Sequence, residues 1–402
     1  MLCRVRKNSG ALRFGARAAC HFNVAINRWM SYNQIVRCPG RFILNGIGAL
    51  PLNLQQLQGL FKMQSDIGID LGTGYTRIYS GRSIVLNQPS VVTVKKRGGE
   101  AVEFGDKAYA SIGRTSDRFC SVCPIERGTI ANYDVAEKMI KEYLTRTAGK
   151  KTVKPRVMIT APSGLTAVQE RSIVDAAENA GARNVCLIES PLAAAVEMGV
   201  DFSAPSGVAV IDMGKGTTDI AVLSMGGISQ CESARVAGID FDEAIVRYVR
   251  HEYNIAIGML TAERIKKTVG CVKKRQVEIA VTAGGLNQFS GLPEMFEITS
   301  TQLYDAISDT FEAILKAIRG VFEKTPPELL ADSSDKGMIL TGGSSLIYGM
   351  PERLSEELNM PVHMPDDPLL CVARGIGKAM ADMSMLKNGD YYFRSLQDLT
   401  VE

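Results

Sequence analysis

Histidine is almost missing from these 402 residues. The three present, His21, His251 and His363, are isolated from one another, which removes histidine-based acid–base chemistry from contention. No run approaches 18 uninterrupted apolar residues, so the sequence offers no membrane-spanning helix. The nine cysteines lack framework spacing, a usage that points to a reducing cytosol. Cys120-x-x-Cys123 has no second pair and no flanking histidine, and packing or chance accounts for it better than a metal. A general excess of positive charge is missing as well. Residues 1–65 hold nine Lys or Arg and no Asp or Glu, which leaves the remainder at net −6 against a total of +3. That mildly acidic body, with no aromatic platform beside Lys266, Lys267, Lys273, Lys274 and Arg275, gives no case for nucleic acid as a partner.

What is present is organised around two echoing stretches. Asp66 to Tyr79 and Val208 to Val222 each read as an apolar strand ending in Asp70 or Asp212, a Gly/Thr turn, and a second apolar strand, which is a β-hairpin signal. The turns are Gly72-Thr73-Gly74-Tyr75 and Gly214-Lys215-Gly216-Thr217-Thr218. Such turns suit a polyphosphate, because glycines let backbone N–H groups approach the oxygens and hydroxyls add donors. A carboxylate beside phosphate is repelled unless a cation intervenes, so Asp70 and Asp212 are expected to act through Mg²⁺ and its waters. Asp219, closing the second hairpin, is placed to contact such a water. Two copies about 140 residues apart suggest a duplicated domain gripping one nucleotide from both sides. A third glycine cluster, Gly337 to Leu346, runs a strand into Thr341-Gly342-Gly343-Ser344, where bare backbone can take a flat ring.

These three signals, in this order, resemble the actin-like ATPase superfamily. Within it, Ile84 to Val92, Leu187 to Ala195, Phe241 to Ile245, Thr261 to Lys266 and Cys371 to Gly375 are similar to the MreB family of bacterial cell-shape proteins, over about Ser65 to Met380. The resemblance implies an α/β fold of two RNase H-like domains, each with a small inserted subdomain, around an ATP cleft. It divides the chain into 63–205 (insertion about 95–125), completed by 375–402, and 206–374 (insertion about 242–305). It implies ATP and Mg²⁺ as cofactors, self-assembly into filaments, and a peripheral place at the inner membrane beside cell-wall elongation proteins. Glu263 would hold the ribose hydroxyls and Lys266 would lie near the base. Lys215 departs from the family, which has another glycine there. Its ammonium either meets the phosphates or points to solvent.

A further departure concerns hydrolysis. Thr166 can cap the helix running to Ala180, with Gln169 as its capping-box partner. The family places a water-orienting Glu at the position of Gln169, with Glu170 alongside here. A glutamine holds water but accepts no proton, so the expectation is a slow ATPase unless Glu170 substitutes.

Elsewhere, Val135 to Ala148 and Leu303 to Phe322 have helical apolar spacing, and Val277 to Ala283 alternates as a strand. Ala110 to Arg114 occupies the place of the family's membrane-touching loop, but only Ile112 is strongly apolar. Residues 1–62 match nothing in the family. They are read as an upstream-extended start before Met63, as a basic arm for anionic lipid, or as a targeting peptide. Two rival functions stand against a filament. A small-molecule kinase of the superfamily needs an acceptor base not evident here, and a chaperone-type ATPase needs a substrate domain after about Met380.

Overall fold

The computed structural model describes residues 36–38, 41–43, 66–148, 154–201 and 204–382. The first of two compact units, Met1–Met63, contributes an antiparallel pair, Val36–Cys38 with Arg41–Ile43. The readings of residues 1–62 otherwise lie outside the described residues.

In the second unit, Gln64–Glu402, one sheet pattern occurs twice. The first sheet contains β1 (Ile67–Leu71), β2 (Tyr75–Ser80), β3 (Ser83–Pro89), β4 (Arg156–Ala161) and β5 (Asn184–Glu189) in the order β5-β4-β1-β2-β3. The second contains β6 (Val208–Met213), β7 (Thr218–Ser224), β8 (Gly227–Ala234), β9 (Met338–Thr341) and β10 (Val362–His363) in the order β8-β7-β6-β9-β10. In each, three antiparallel strands lead into two parallel ones. The central strands β1 and β6 are nearly continuous apolar runs because both of their faces are covered.

Both stretches of helical apolar spacing, Val135 to Ala148 and Leu303 to Phe322, are helical. α1 (Tyr133–Ala148) and α2 (Ala167–Asn179) close the first core, around Ile69, Tyr143 and Ile159. α3 (Ser190–Glu197) follows β5, with Pro191 at its start. α4 (Gly238–Tyr253), α5 (Met259–Val269) and α6 (Ser300–Lys324) serve the second core, around Ile211, Phe241 and Phe311. α7 (Cys371–Ala381) ends the described chain.

A third core joins the two sheets. It combines Met158 and Ile188 with Val210 and Leu223 through Ala193–Ala195 of α3 and Ile376 of α7. α3 and α7 cross so closely that a Cβ on Gly375 would collide with the Ala193 carbonyl oxygen. On its other face α7 packs on the first sheet, where a Cβ on Gly68 would stand 2.7 Å from Ile376 Cγ2.

The strand read at Val277 to Ala283 is displaced. Ala280–Asn287 pairs with Pro293–Thr299, and Val277 is three-quarters exposed. The strand continues beyond Ala283, and Gly285 lies inside it, where any Cβ would meet Ile255 and Ala256 of the neighbouring strand. Ile112, in the loop considered for membrane contact, is half-buried.

Gly375→Ala should force α3 and α7 apart and destabilise the chain by about 2 kcal/mol or more, since overpacking against backbone cannot be relieved by a rotamer change. Denaturant unfolding with unchanged slope and a lowered midpoint is the expected readout.

Candidate functional site

The two hairpins share the same strand register. In β1–β2 the register sets Asp70 opposite Arg77, and in β6–β7 it sets Asp212 opposite Asp219. Each turn closes alike, Gly72 N–H to Tyr75 O at 3.1 Å and Gly214 N–H to Thr217 O at 2.9 Å. The turns face each other: a Cβ on Gly216 would strike Thr73, and one on Gly74 would stand 3.0 Å from Lys215 Cδ. Between them opens a cleft of about 750 Å³, lined by both turns, by Asp70, Asp212 and Asp219, by Glu263 and Lys266, and by Gly342, Gly343 and Ser344. That volume is in the range that holds a small ligand or cofactor.

The floor is acidic and unevenly compensated. Asp70 is paired with Arg77 at 2.9 Å and accepts from Thr160 Oγ1 at 3.2 Å. In the second hairpin the residue equivalent to Arg77 is itself a carboxylate. Burial, with Asp219 facing it and Asp70 beyond, pushes Asp212 up to about 8 despite Arg77. Burial raises Asp219 to about 6, against hydrogen bonds that favour its charged form. Asp219 Oδ2 accepts from Thr217 Oγ1 at 3.0 Å, while Oδ1 is buried and unpartnered. Three carboxylates sharing one guanidinium, with an orphaned oxygen among them, fit a hydrated divalent cation. Among the described residues no set of three ligands is close enough to hold an ion directly. Contact through water, as Asp70 and Asp212 were read, is what this donor set permits.

At the other end Glu263 is a hub. Lys267 Nζ lies 2.7 Å from Oε1, and Lys215 Nζ 3.3 Å from Oε2. Tyr109, from the first half, donates to Oε2 at 3.4 Å. Burial alone would raise the Glu263 pKa, but Lys215, Lys267 and Lys266 hold it down at about 2. The Lys215 ammonium is thus turned toward Glu263 along the wall of the cleft. Lys266 lines the cleft, yet its ammonium is bound to Asp242 at 2.8 Å and to the Gly238 carbonyl at 2.6 Å. Burial lowers the Lys266 pKa and raises that of Asp242 to about 6.

The third cluster is tied to the second hairpin. Ser344 Oγ donates to Gly214 O at 2.7 Å. Gly342 has φ 87°, and a Cβ there would hit the Met213 carbonyl and stand 2.5 Å from Asp212 Oδ1. The bare backbone at Gly342 thus admits the neighbouring strand, while Gly342 and Gly343 both line the cleft and a Cβ on Gly343 would meet Leu369 at 3.3 Å. Tyr348 stands beside it with the Arg275 guanidinium 3.8 Å over its ring.

Three of the residues singled out from the sequence lie elsewhere. Thr218 is fully buried and donates to Val236 O at 2.7 Å, as its counterpart Thr76 is bonded to Ser90. Gln169 completes the capping box: its Oε1 accepts from Thr166 N at 3.0 Å and from Thr166 Oγ1 at 3.1 Å. Neither Gln169 nor Glu170 lines the cleft. Conversely, Arg77, Tyr109, Thr160 and Lys267 were not anticipated. Arg77 was within reach, since pairing the hairpin from its turn outward sets it opposite Asp70. Arg127 was not: at φ 45° in a tight turn of the first half, it crosses to the second and binds Asp240 bidentately at 3.1 and 3.2 Å and the Arg235 carbonyl. Next to it, Gly128 N–H donates to Thr73 Oγ1 at 3.0 Å.

Comparison with known proteins follows the same lines. A family model described as MreB/Mbl protein matches residues 64–388. The chain is 39% identical over 346 residues to the cell shape-determining protein MreB of Escherichia coli K12, covering 84% of this chain and 99% of that one. It is 40% identical over 325 residues to the cell shape-determining protein Mbl of Bacillus subtilis 168, covering 80% and 97%. Among solved structures, MreB5 of Spiroplasma citri bound to ADP matches with a TM-score of 0.77 and 32% identity, covering 81% and 98%. The MamK double helical filament matches with a TM-score of 0.66 at 17% identity, covering 79% and 99%. The fold is that of the actin-like ATPases.

The acidic floor makes a signed prediction. Asp212 and Asp219 keep protons in the folded chain at pH values where the unfolded chain, with Asp near 3.9, has lost them. Without divalent cations, this contribution to stability is full below about pH 4 and is lost as pH rises through about 6 to 8. Mg²⁺ should reverse the trend at the alkaline end, because it binds the ionised carboxylates. Thermal melts across pH with EDTA or Mg²⁺ measure this, and Asp212→Asn should flatten the profile. A profile insensitive to that substitution would remove Asp212 from the account.

Proposed function

Because the chain belongs to the MreB/Mbl family, we propose that it binds ATP with Mg²⁺ in the cleft and assembles with further copies of itself into actin-like filaments that maintain bacterial cell shape. The observation that carries this reading is the pair of equivalent glycine turns facing one another across a single cavity. The turns Gly72–Tyr75 and Gly214–Thr217 hold the phosphates, each by backbone donors that only glycine lets approach so closely. Asp70, Asp212 and Asp219 hold Mg²⁺ through its waters, which neutralises charge between the carboxylates and the phosphates. Glu263 takes the sugar hydroxyls, with Gly343 and Ser344 on the adenosine side. Lys266 acts from behind, fixing Asp242 and the start of α4 against the second turn.

Among the described residues no helix is long and apolar enough to cross a membrane. Association with the inner face of the membrane, and with the membrane proteins of cell-wall elongation, would be peripheral. Ile112 adds little to that surface, being half-buried.

Sedimentation and electron microscopy of the protein with ATP and Mg²⁺ test the assembly. Filaments that pellet only with nucleotide are expected, and a soluble monomer under all nucleotide conditions overturns the reading. Binding that then leads to phosphorylation of a small molecule instead would favour the kinase rival.

The family carries a water-orienting Glu at the position of Gln169, whose side chain here caps its own helix outside the cleft, so hydrolysis by water held at Gln169 requires that side chain to leave Thr166. Glu is an equally good capping-box partner, so Gln169→Glu leaves the start of α2 intact. Phosphate release should rise about tenfold or more, within the range of general-base assistance, with little change in ATP affinity. No change in that variant, together with loss of hydrolysis in Glu170→Ala, would transfer the role to Glu170.

A further inference from the structure

Lys215 occupies the turn position that Thr73 holds in the first hairpin. Its stem lies across the opposite turn, since a Cβ on Gly74 would stand 3.0 Å from its Cδ and 3.2 Å from its Cβ. The ammonium is thereby carried away from the tips and ends 3.3 Å from Glu263 Oε2, with a third of the side chain exposed. That separation is long for a charge-assisted hydrogen bond, which closes to about 2.7–2.9 Å. Lys267 makes the close contact, 2.7 Å on the other oxygen, and Tyr109 adds a donor on Oε2. Lys215 is therefore the more loosely held of the two ammonium partners, and Glu263 would keep its close contact with Lys267 if Lys215 turned away along the wall of the cleft.

Where that charge lies decides what it takes. Under the nucleotide reading, on which this inference rests, the turns hold the terminal phosphates and Glu263 the sugar hydroxyls. The group between them is the phosphate attached to the sugar. We infer that Lys215 is a binding residue for the sugar-proximal phosphates that nucleoside di- and triphosphates share, and that it does not distinguish the terminal one. Passing the ammonium from Glu263 to a phosphate oxygen exchanges one anion for another, so no buried charge is left unpaired. The exchange also frees acceptor capacity on Glu263 for the sugar.

Binding of ATP, ADP and adenosine to the full chain and to Lys215→Met, which keeps the stem over Gly74, tests this. The variant should lose about tenfold in affinity for ATP and ADP alike, with adenosine unchanged within about twofold and ADP dissociation faster by about tenfold. Lys215→Arg should restore the affinity, and thermal melts establish that each variant is folded. In the unaltered chain, ADP binding should weaken with salt more steeply than adenosine binding, a difference the Met variant reduces. A loss confined to ATP would make Lys215 a terminal-phosphate sensor and overturn the inference. An equal loss for adenosine would reduce it to a positioning residue for Glu263 and overturn it too. Failure of the unaltered chain to bind any of the three overturns the nucleotide reading itself, and the inference with it.

Discussion

The cleft depends on how closely two helices can cross. α3 and α7 lie between the sheets, and their separation sets how far apart the two glycine turns stand. Helix axes approach to the distance that side chains at the crossing allow. Here Ala193 meets Gly375, backbone against backbone, so the approach is near its lower limit. The Ala-rich composition of α3, which by itself only favours helix, is thus also a packing requirement. A third core continuous with both sheets makes the joint apolar, and Lys378 bonds the end of α3 through Glu197 at its rim.

The duplicated hairpins then do different electrostatic work with the same backbone. In the first, a guanidinium sits opposite the aspartate, so Asp70 is compensated within its own hairpin. In the second, Asp219 sits opposite Asp212, and a cation favours full ionisation of the pair near neutral pH. An anionic ligand would be repelled by such a floor on its own. A metal-bound one is attracted, which ties the two cofactors of the proposed function to one another.

The lobes are linked at several points beside the phosphate turns. Arg127 reaches Asp240, Gly128 lies so close to Thr217 that an added Cβ would stand 3.1 Å from its methyl, and Tyr109 reaches Glu263. Each contact is made by a residue from one half whose position matters only because of the other half. The positive φ at Arg127 is a local cost of order 1 kcal/mol, offset by a bidentate pair that few other geometries would satisfy.

The sequence by itself determined the elements whose physics is local. Glycine turns between apolar alternations specified both hairpins, the capping box at Thr166 specified the start of α2, and the repetition of Asp-x-Gly-x-Gly-x-Thr turns specified the duplication. Each depends on residues within a few positions, so it survives being read without a partner. Only the tertiary structure decided where the long polar side chains went. Lys266 was taken by Asp242, Lys215 by Glu263, and the space above Gly342 by Met213. A lysine or arginine has several rotatable bonds and finds its partner through space, across 48 residues for Lys215 and 113 for Arg127. No short-range pattern encodes that choice, because the groups competing for each side chain meet only when the two sheets have been brought together.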